Sequence, residues 1–468
     1  MDEELIHTKF ELHHGHQHAS GSMHSGGHHQ FLLENINVVF EDLFYKKCSL
    51  FPLIKKTQVL KNLNLSLHEG EKLFIIGQTG SGKSMLINLL TGNLPSNANV
   101  DGNIWFHGNL IESHELKNLM RGKVSYIPQS LASLDPMQKY GIGDKELYPV
   151  EMSGGMKRIA LVNDAINPNS EIIIADEPTT NLDFENKEEC MSLILDKANQ
   201  GCTLVVITHD VELALKYGDR IAIFKDNTMV DEISVSSFKN EKDLTCEYSK
   251  RLFESLPENL CFSKFEEKNN NQKSHELKIN NLNFGYSKTE IFKNYSLKVA
   301  SGEITCFFGP TGSGKSTICK ILSGHIVPAG IDVFLDGKKL SVFKDVQLVV
   351  QDPHASFNPN VAVGKSFDVN FESESSLFDE LGLDMPLLSK FPRELSGGEL
   401  ARLSIARALI SYPKFLILDE STASLDVVTQ KEILDFLIEW CEDNFCGLVF
   451  VSHDFELVKK LATKIVYF

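Results

Sequence analysis

The sequence predicts a two-domain α/β protein, each domain a mainly parallel sheet flanked by helices, on three observations. The chain has 468 residues, and single hydrophobic cores stop growing at roughly 250 to 300 residues. Short motifs occur twice in one order: Ser153-Gly154-Gly155 returns as Ser396-Gly397-Gly398, Asp176-Glu177 as Asp419-Glu420, and His209-Asp210 as His453-Asp454, at offsets of 243, 243 and 244 residues. So regular an offset marks a duplicated domain. Within each half, apolar runs such as Leu73-Phe74-Ile75-Ile76, Ile172-Ile173-Ile174 and Leu204-Val205-Val206-Ile207 alternate with helix-like stretches, the pattern of buried parallel strands. The polar stretch from Lys268 to Ser274 lacks an apolar period and reads as a linker, with the boundary near residue 272. The expected division is a histidine-rich tail over 1–30, a first domain over 31–240, a linker with an extension-like segment over 241–275, and a second domain over 276–468.

Composition narrows the function. With 42% hydrophobic and 23% charged residues the chain is of soluble globular type. No stretch approaches the ~20 apolar residues needed to span a bilayer. The formal net charge of -17 argues against a nucleic-acid partner, because binding a polyanion relies on Lys and Arg. Nine cysteines are scattered singly and read as reduced thiols of a cytosolic protein. The N-terminus has no apolar segment of a secretory leader.

The chemistry begins at two glycine-rich loops. Gly77-Gln78-Thr79-Gly80-Ser81-Gly82-Lys83-Ser84 and Gly309-Pro310-Thr311-Gly312-Ser313-Gly314-Lys315-Ser316, the latter continuing to Thr317, both follow an apolar strand and precede a helix-like segment. Glycines let backbone N–H groups close around a phosphate, the helix N-terminus adds a favourable dipole, and Lys83 or Lys315 reaches the β/γ oxygens of ATP. Ser84 and Ser316 are expected to ligate Mg2+. Two apolar strands end in paired carboxylates, Asp176-Glu177 and Asp419-Glu420. The first carboxylate of each pair is expected to hold Mg2+, and the second to polarise water for attack on the γ-phosphate.

The order of loop, Gln129, Ser153-Gly-Gly, Asp176-Glu177, Leu182-Asp183 and His209, repeated as Gln351, Ser396-Gly-Gly, Asp419-Glu420, Leu425-Asp426 and His453, resembles the ATP-binding cassette family over most of the chain. The resemblance implies two P-loop NTPase domains in tandem, each with an inserted helical subdomain, short in the first. It implies that Gln129 and Gln351 contact Mg2+ and sense a membrane subunit. It implies further that His209 and His453 hold the γ-phosphate, and that each Ser-Gly-Gly segment closes on ATP held by the opposite cassette. Two ATP sites would then form as the cassettes pair within one chain. Family precedent also places an aromatic residue against adenine: Tyr286 fits in the second half, while Phe44 and Tyr45 remain open in the first. Both halves keep the acidic pair, the histidine and the loop lysine, so both look competent for hydrolysis.

Around Asp135-Pro136 and Asn358-Pro359, after each glutamine, the chain is similar to the peptide and nickel importer branch, and Glu247 to Pro257 resembles that branch's C-terminal extension. This implies an ATPase energising import, held at the cytoplasmic face of the membrane by two permease subunits and served by a substrate-binding protein. Between Gln129 and Ser153 lie 23 residues, against 44 between Gln351 and Ser396, so the first coupling surface is trimmed. Half of the 16 histidines fall in the first 29 residues: His7, His13, His14, His16, His18, His24, His28 and His29. Interleaved with Gly and Ser, they could hold Ni2+, Zn2+ or Co2+, which tilts the expected cargo toward nickel or a related divalent metal. The alternative is dipeptide or oligopeptide import. More distant is a soluble twin-cassette ATPase acting on the ribosome or nucleic acid, which would call for basic patches that this acidic chain lacks.

Overall fold

The computed structural model describes residues 29–44, 53–77, 80–143, 145–180, 182, 184–262, 274–286, 289–310, 312–340, 344–367, 375–422 and 425–468. In the first half an antiparallel sheet is formed by β1 (His29–Phe44), β2 (Leu53–His68), β4 (Ala98–Phe106) and β5 (Asn109–Ile111), in the order β2-β1-β4-β5. A six-stranded sheet contains β3 (Lys72–Gly77), β6 (Val124–Ile127), β9 (Ile172–Asp176), β10 (Thr203–Ile207), β11 (Arg220–Lys225) and β12 (Thr228–Ser234), in the order β12-β11-β3-β10-β9-β6. Only the β11–β12 pair in it is antiparallel. A small hairpin pairs β7 (Tyr140–Ile142) with β8 (Lys145–Leu147).

The second half repeats the plan. The antiparallel sheet β14-β13-β16-β17 uses Thr289–Ala300, Glu276–Tyr286, Val333–Leu335 and Lys338–Lys339. The wholly parallel sheet β18-β19-β20-β15-β21 uses Val346–Val349, Phe415–Asp419, Gly447–Val451, Ile304–Phe308 and Lys464–Tyr467. The runs read as buried strands are β3, β9 and β10, whose apolar residues are almost wholly excluded from water. A strand covered on both faces has no reason to alternate polar and apolar residues, which is why these read as continuous apolar runs.

Six helices matter to the site: α1 (Lys83–Thr91), α2 (Gly154–Ala165), α3 (Glu247–Glu254), α4 (Lys315–Leu322), α5 (Gly397–Leu409) and α6 (Val427–Asp443). Helices α1 and α4 open directly from the glycine-rich loops, and α2 and α5 open from the Ser-Gly-Gly segments.

One expectation needs correction. The short insertion of the first half is not helical: between Gln129 and Ser153 the chain forms the β7–β8 hairpin and two single 3-10 turns, Leu131–Ser133 and Pro149–Glu151. Leu134, Tyr140 and Met152 bury against Ala160 and Leu161 of α2 in a small separate core. A two-stranded hairpin closes in a few residues and fits readily within the 23 available. The longer insertion of the second half is helical, with Ser375–Glu380 and four 3-10 turns.

Most of the polar stretch read as linker lies outside the described residues. The segment before it is folded. Leu244, Tyr248, Leu252 and Leu256 pack into a first-half core that also takes Val428 of α6, while Leu260 and Phe262 pack into the second-half core. Arg251 of α3 pairs with Glu432 of α6 at 3.1 Å. Helix α3 therefore bridges the two halves. Truncating Leu252, which is 2% exposed, to Ala should destabilise the chain by about 2–5 kcal/mol. Thermal unfolding checks this, and an unshifted transition would show that α3 is not part of the core.

Candidate functional site

Each glycine-rich loop joins a buried parallel strand to a helix that opens directly from it, with no side chain capping the helix start. Gly82 and Gly314, the residues before α1 and α4, have φ of 94° and 103°. A Cβ on Gly82 would lie 2.7 Å from the Val59 carbonyl oxygen, and one on Gly314 would lie 2.8 Å from the Ile291 side chain. Both positions demand glycine on backbone and on space. Lys83 Nζ donates to the Gly77 carbonyl at 2.7 Å, and Lys315 Nζ to the carbonyls of Gly309 and Pro310 at 2.6 and 2.8 Å. Each ammonium is thus held over its own loop. Burial pushes the Lys83 ammonium down, against the opposing pull of Glu177, Asp426 and Asp176. Gln78, Thr79 and Thr311 lie outside the described residues.

Parallel register builds the rest. Asp176 of β9 stands opposite Ile207 of β10, and Asp419 of β19 opposite Val451 of β20. The residues that follow therefore meet at one sheet edge. Glu177 and Glu420 take left-handed backbone, φ 48° and 49°, and donate their N–H groups to Ile207 and Val451 carbonyls at 2.8 and 3.2 Å. Such a conformation costs a non-glycine residue about 1–3 kcal/mol and occurs where a side chain must be aimed. It is repeated at the same place in both halves. Glu177 Oε2 lies 2.8 Å from His209 Nδ1 and accepts from Thr180 Oγ1 at 3.1 Å. In the second half, Glu420 Oε1 is 3.7 Å from His453 Nδ1, and Glu420 Oε2 accepts from Gln351 Nε2 at 2.9 Å.

The carboxylates read as Mg2+ ligands differ in their neighbours. Ser316 Oγ donates to Asp419 Oδ1 at 3.1 Å, bringing together two residues expected to act on one ion. Asp176 Oδ2 instead faces the Tyr126 hydroxyl at 3.4 Å, a residue that sequence reading passed over. Burial and Asp176 push that hydroxyl up to about 12, so it stays a donor. Burial is also the main cause that raises the Asp176 and Asp419 carboxyls, with the adjacent Glu177 and Glu420 adding to it. Hydroxyl and carboxylate oxygens beside a buried carboxyl form a hard donor set, which suits Mg2+. The glycine cradle fits a polyphosphate.

Ser153 and Ser396 cap α2 and α5, accepting the N–H of Met156 at 3.3 Å and of Glu399 at 3.2 Å. Glu399 answers with a carboxylate that accepts from Ser396 N at 2.7 Å and Ser396 Oγ at 2.8 Å, completing a capping box. Gly155 is closed in by the Asn186 side chain, since a Cβ there would lie 2.5 Å from it. Arg158 of α2, 3% exposed, donates to the carbonyls of Pro128 and Gln129 at 3.0 and 2.8 Å. Arg407 of α5 does the equivalent from another position, donating to the Ser356 carbonyl and stacking 4.8 Å over Phe357. Because the two arginines stand at different distances from their Ser-Gly-Gly segments, the repeat comparison did not pair them.

Tyr286 ends β13, half exposed, with its ring edge-on to Phe284 at 5.2 Å. The first-half counterpart is set by strand register. Asn35 and Asn281 both turn to positive φ, 54° and 52°, and each strand then anchors its partner through an asparagine, Asn37 Oδ1 from Asn62 N and Asn283 Oδ1 from Asn294 N. Counted from that bulge, Phe40 occupies the place of Tyr286. The signal was present as Asn35-Ile36-Asn37 against Asn281-Leu282-Asn283. The side chains of Phe44 and Tyr45 lie outside the described residues.

Of the tail, His13, His14, His16, His18, His24 and His28, together with His7, lie outside the described residues. His29 opens β1, its ring 4.8 Å from that of His68. Among the described residues no group of three or more His, Cys, Asp or Glu could hold a metal ion, and the eight described cysteines are all free thiols. No described helix is long and apolar enough to cross a membrane.

Two cradles, two acidic pairs and two histidines on parallel strand edges agree with what sequence comparison finds: the model of the family described as "ABC transporter" matches residues 60–142 and 292–423. The chain belongs to the ATP-binding cassette family. It carries two cassettes and is an ATPase. A peptidoglycan transport ATP-binding protein of Agrobacterium fabrum is 25% identical over 86% of this chain and 86% of its own length. An uncharacterized ABC transporter ATP-binding protein of Escherichia coli is 27% identical over 87% of this chain and 90% of its own. A glutathione import ATP-binding protein of Pectobacterium atrosepticum is 23% identical over 88% and 82%. Among solved structures, an RNase-L inhibitor aligns over 87% of this chain and 85% of its own with a TM-score of 0.57 at 19% identity, a likeness of tandem-cassette fold alone.

The His209 imidazole is raised above its ordinary 6.5, chiefly by the hydrogen bond to Glu177, against burial that lowers it. The folded chain therefore favours protonated His209. That stabilisation is complete below the unfolded value and is lost as pH rises through the raised folded value. The melting-temperature difference between the wild type and His209→Gln should be largest on the acid side and shrink as pH rises. A difference that grows with pH would overturn the pairing.

Proposed function

We propose that this chain is the ATP-hydrolysing subunit of an importer for small peptides or peptide-like conjugates. In this reading it works at the cytoplasmic membrane face with two permease subunits and a substrate-binding protein. The observation that carries the reading is end-to-end similarity, across both cassettes, to proteins named for peptidoglycan transport and glutathione import. These names favour the peptide-type alternative over nickel. The nickel reading keeps one support, the eight histidines within the first 29 residues. The ribosome or nucleic-acid reading has none, since the solved-structure likeness is one of fold.

In the proposed cycle each site is built from one cassette's loop, acidic pair, glutamine and histidine, with the Ser-Gly-Gly segment of the other cassette closing over it. Lys83 and Lys315 leave their loop carbonyls for the β/γ-phosphate oxygens. Glu177 and Glu420 orient water toward the γ-phosphate, and His209 and His453 hold both that carboxylate and the phosphate in place. Bound Mg2+ supplies charge neutralisation of the phosphates, with Ser84, Gln129 and Asp176, or Ser316, Gln351 and Asp419, as its protein partners. Catalysis of this kind rests on positioning and electrostatics, which accounts for glutamates held in strained backbone. Tyr286, and Phe40 by register, are the adenine-facing aromatics.

Glu177→Gln with Glu420→Gln should bind ATP normally and lose turnover by at least about a hundredfold. Nucleotide binding and phosphate release measured on one preparation check this, and near-normal hydrolysis would remove the assignment. For cargo, cells lacking the gene should lose uptake of a labelled short peptide while keeping nickel uptake. Loss of nickel uptake alone would replace the peptide reading with the metal one.

A further inference from the structure

Helix α3 lies outside every motif of the repeat, yet it stands where the two cassettes meet. Its Tyr248 is 5% exposed, and the hydroxyl has no hydrogen-bond partner among the described residues. The side chain lines a narrow seam with Ile76 and Gly77 at the root of the first loop, with His209 and Leu252, and with Asp426 and Val427 of the second cassette. Lys225 Nζ sits 5.1 Å over its ring, and Arg251, on the same helix, ties α3 to Glu432. Asp426 caps α6, accepting from Thr429 N at 3.1 Å through Oδ1 and from Thr429 Oγ1 at 2.8 Å through Oδ2. A carboxylate has about four lone-pair sites, so capacity remains. Burial first and the charge of Asp426 next raise the Tyr248 hydroxyl, keeping it protonated and able to donate. Asp426 is also among the charges that act on Lys83. A buried hydroxyl without a partner is disfavoured, and this one shares its seam with a carboxylate from the other cassette.

We propose that Tyr248 is a positioning residue for the first ATP site: during turnover its hydroxyl donates to Asp426 and holds that carboxylate of the second cassette beside the first loop and Lys83. The first cassette's own extension helix then reports on the second cassette's approach, and hydrolysis at Lys83 and Glu177 is completed only when the seam is closed. The inference rests on the assignment of Glu177 and Glu420 made above.

The test uses the full chain with one site silenced at a time. Tyr248→Phe keeps the ring and its packing and removes only the oxygen. With Glu420→Gln, which leaves turnover to the first site, Tyr248→Phe should lower kcat about tenfold, the size of one charge-assisted hydrogen bond, with KM for ATP within about twofold. With Glu177→Gln, which leaves turnover to the second site, it should change little. Its melting temperature should not fall, because no bond present in the resting structure is lost. Combined with Asp426→Ala, Tyr248→Phe should add nothing further. Unchanged first-site kcat, equal slowing of both sites, or full additivity with Asp426→Ala would each overturn the proposal. Near-normal turnover in Glu177→Gln with Glu420→Gln would overturn the acidic-pair assignment and the inference built on it, and that control is read first.

Discussion

The parallel pairing of β9 with β10, and of β19 with β20, is the constraint on which the nucleotide edge depends. Pairing Asp176 with Ile207 and Asp419 with Val451 puts an acidic pair and a histidine from distant parts of the chain side by side. Because side chains alternate across a strand, a one-residue slip would send Asp176 to the opposite face and separate Glu177 from His209. The near-continuous apolar composition of these strands supplies the burial that holds them in place. The left-handed backbone at Glu177 and Glu420 is affordable only at the end of such a strand, where the following N–H still finds a carbonyl on the neighbour.

The two cassettes share this edge but complete it differently. Glu177 is gripped by His209 and Thr180, Glu420 by Gln351 with His453 farther off. Asp176 faces a tyrosine and Asp419 a serine. Duplication preserved the residues that must meet phosphate while their supporting partners diverged. The insertions diverged further, a hairpin in one half and short helices in the other, and the Ser-Gly-Gly helices are moored differently, by the buried Arg158 to the Pro128 and Gln129 carbonyls and by the half-buried Arg407 to the Ser356 carbonyl.

Much of this was legible in the chain itself, and the reason is local. Glycines at Gly82 and Gly314 are demanded by backbone angle and by space, so they must appear in sequence wherever that loop exists. Apolar runs that end in carboxylates declare buried strands with a polar edge. The repeat offset discloses two domains without any structure. The importer reading and the tail are different in kind, since cargo is chosen outside the ATPase.

By itself, then, the sequence determined the tandem α/β plan, the two phosphate loops, the acidic pairs and the histidines, because each is a short-range requirement of one strand, one turn or one helix start. Tertiary structure decided what no short window contains. It showed that 23 residues fold as a hairpin, that Phe40 takes the register of Tyr286, and that Tyr126 reaches Asp176 across neighbouring strands. It also showed that an extension helix carries Tyr248, whose hydroxyl has no hydrogen-bond partner among the described residues, into the seam between cassettes. These facts depend on strand register and on packing between distant segments, and such contacts are set by the folded core as a whole.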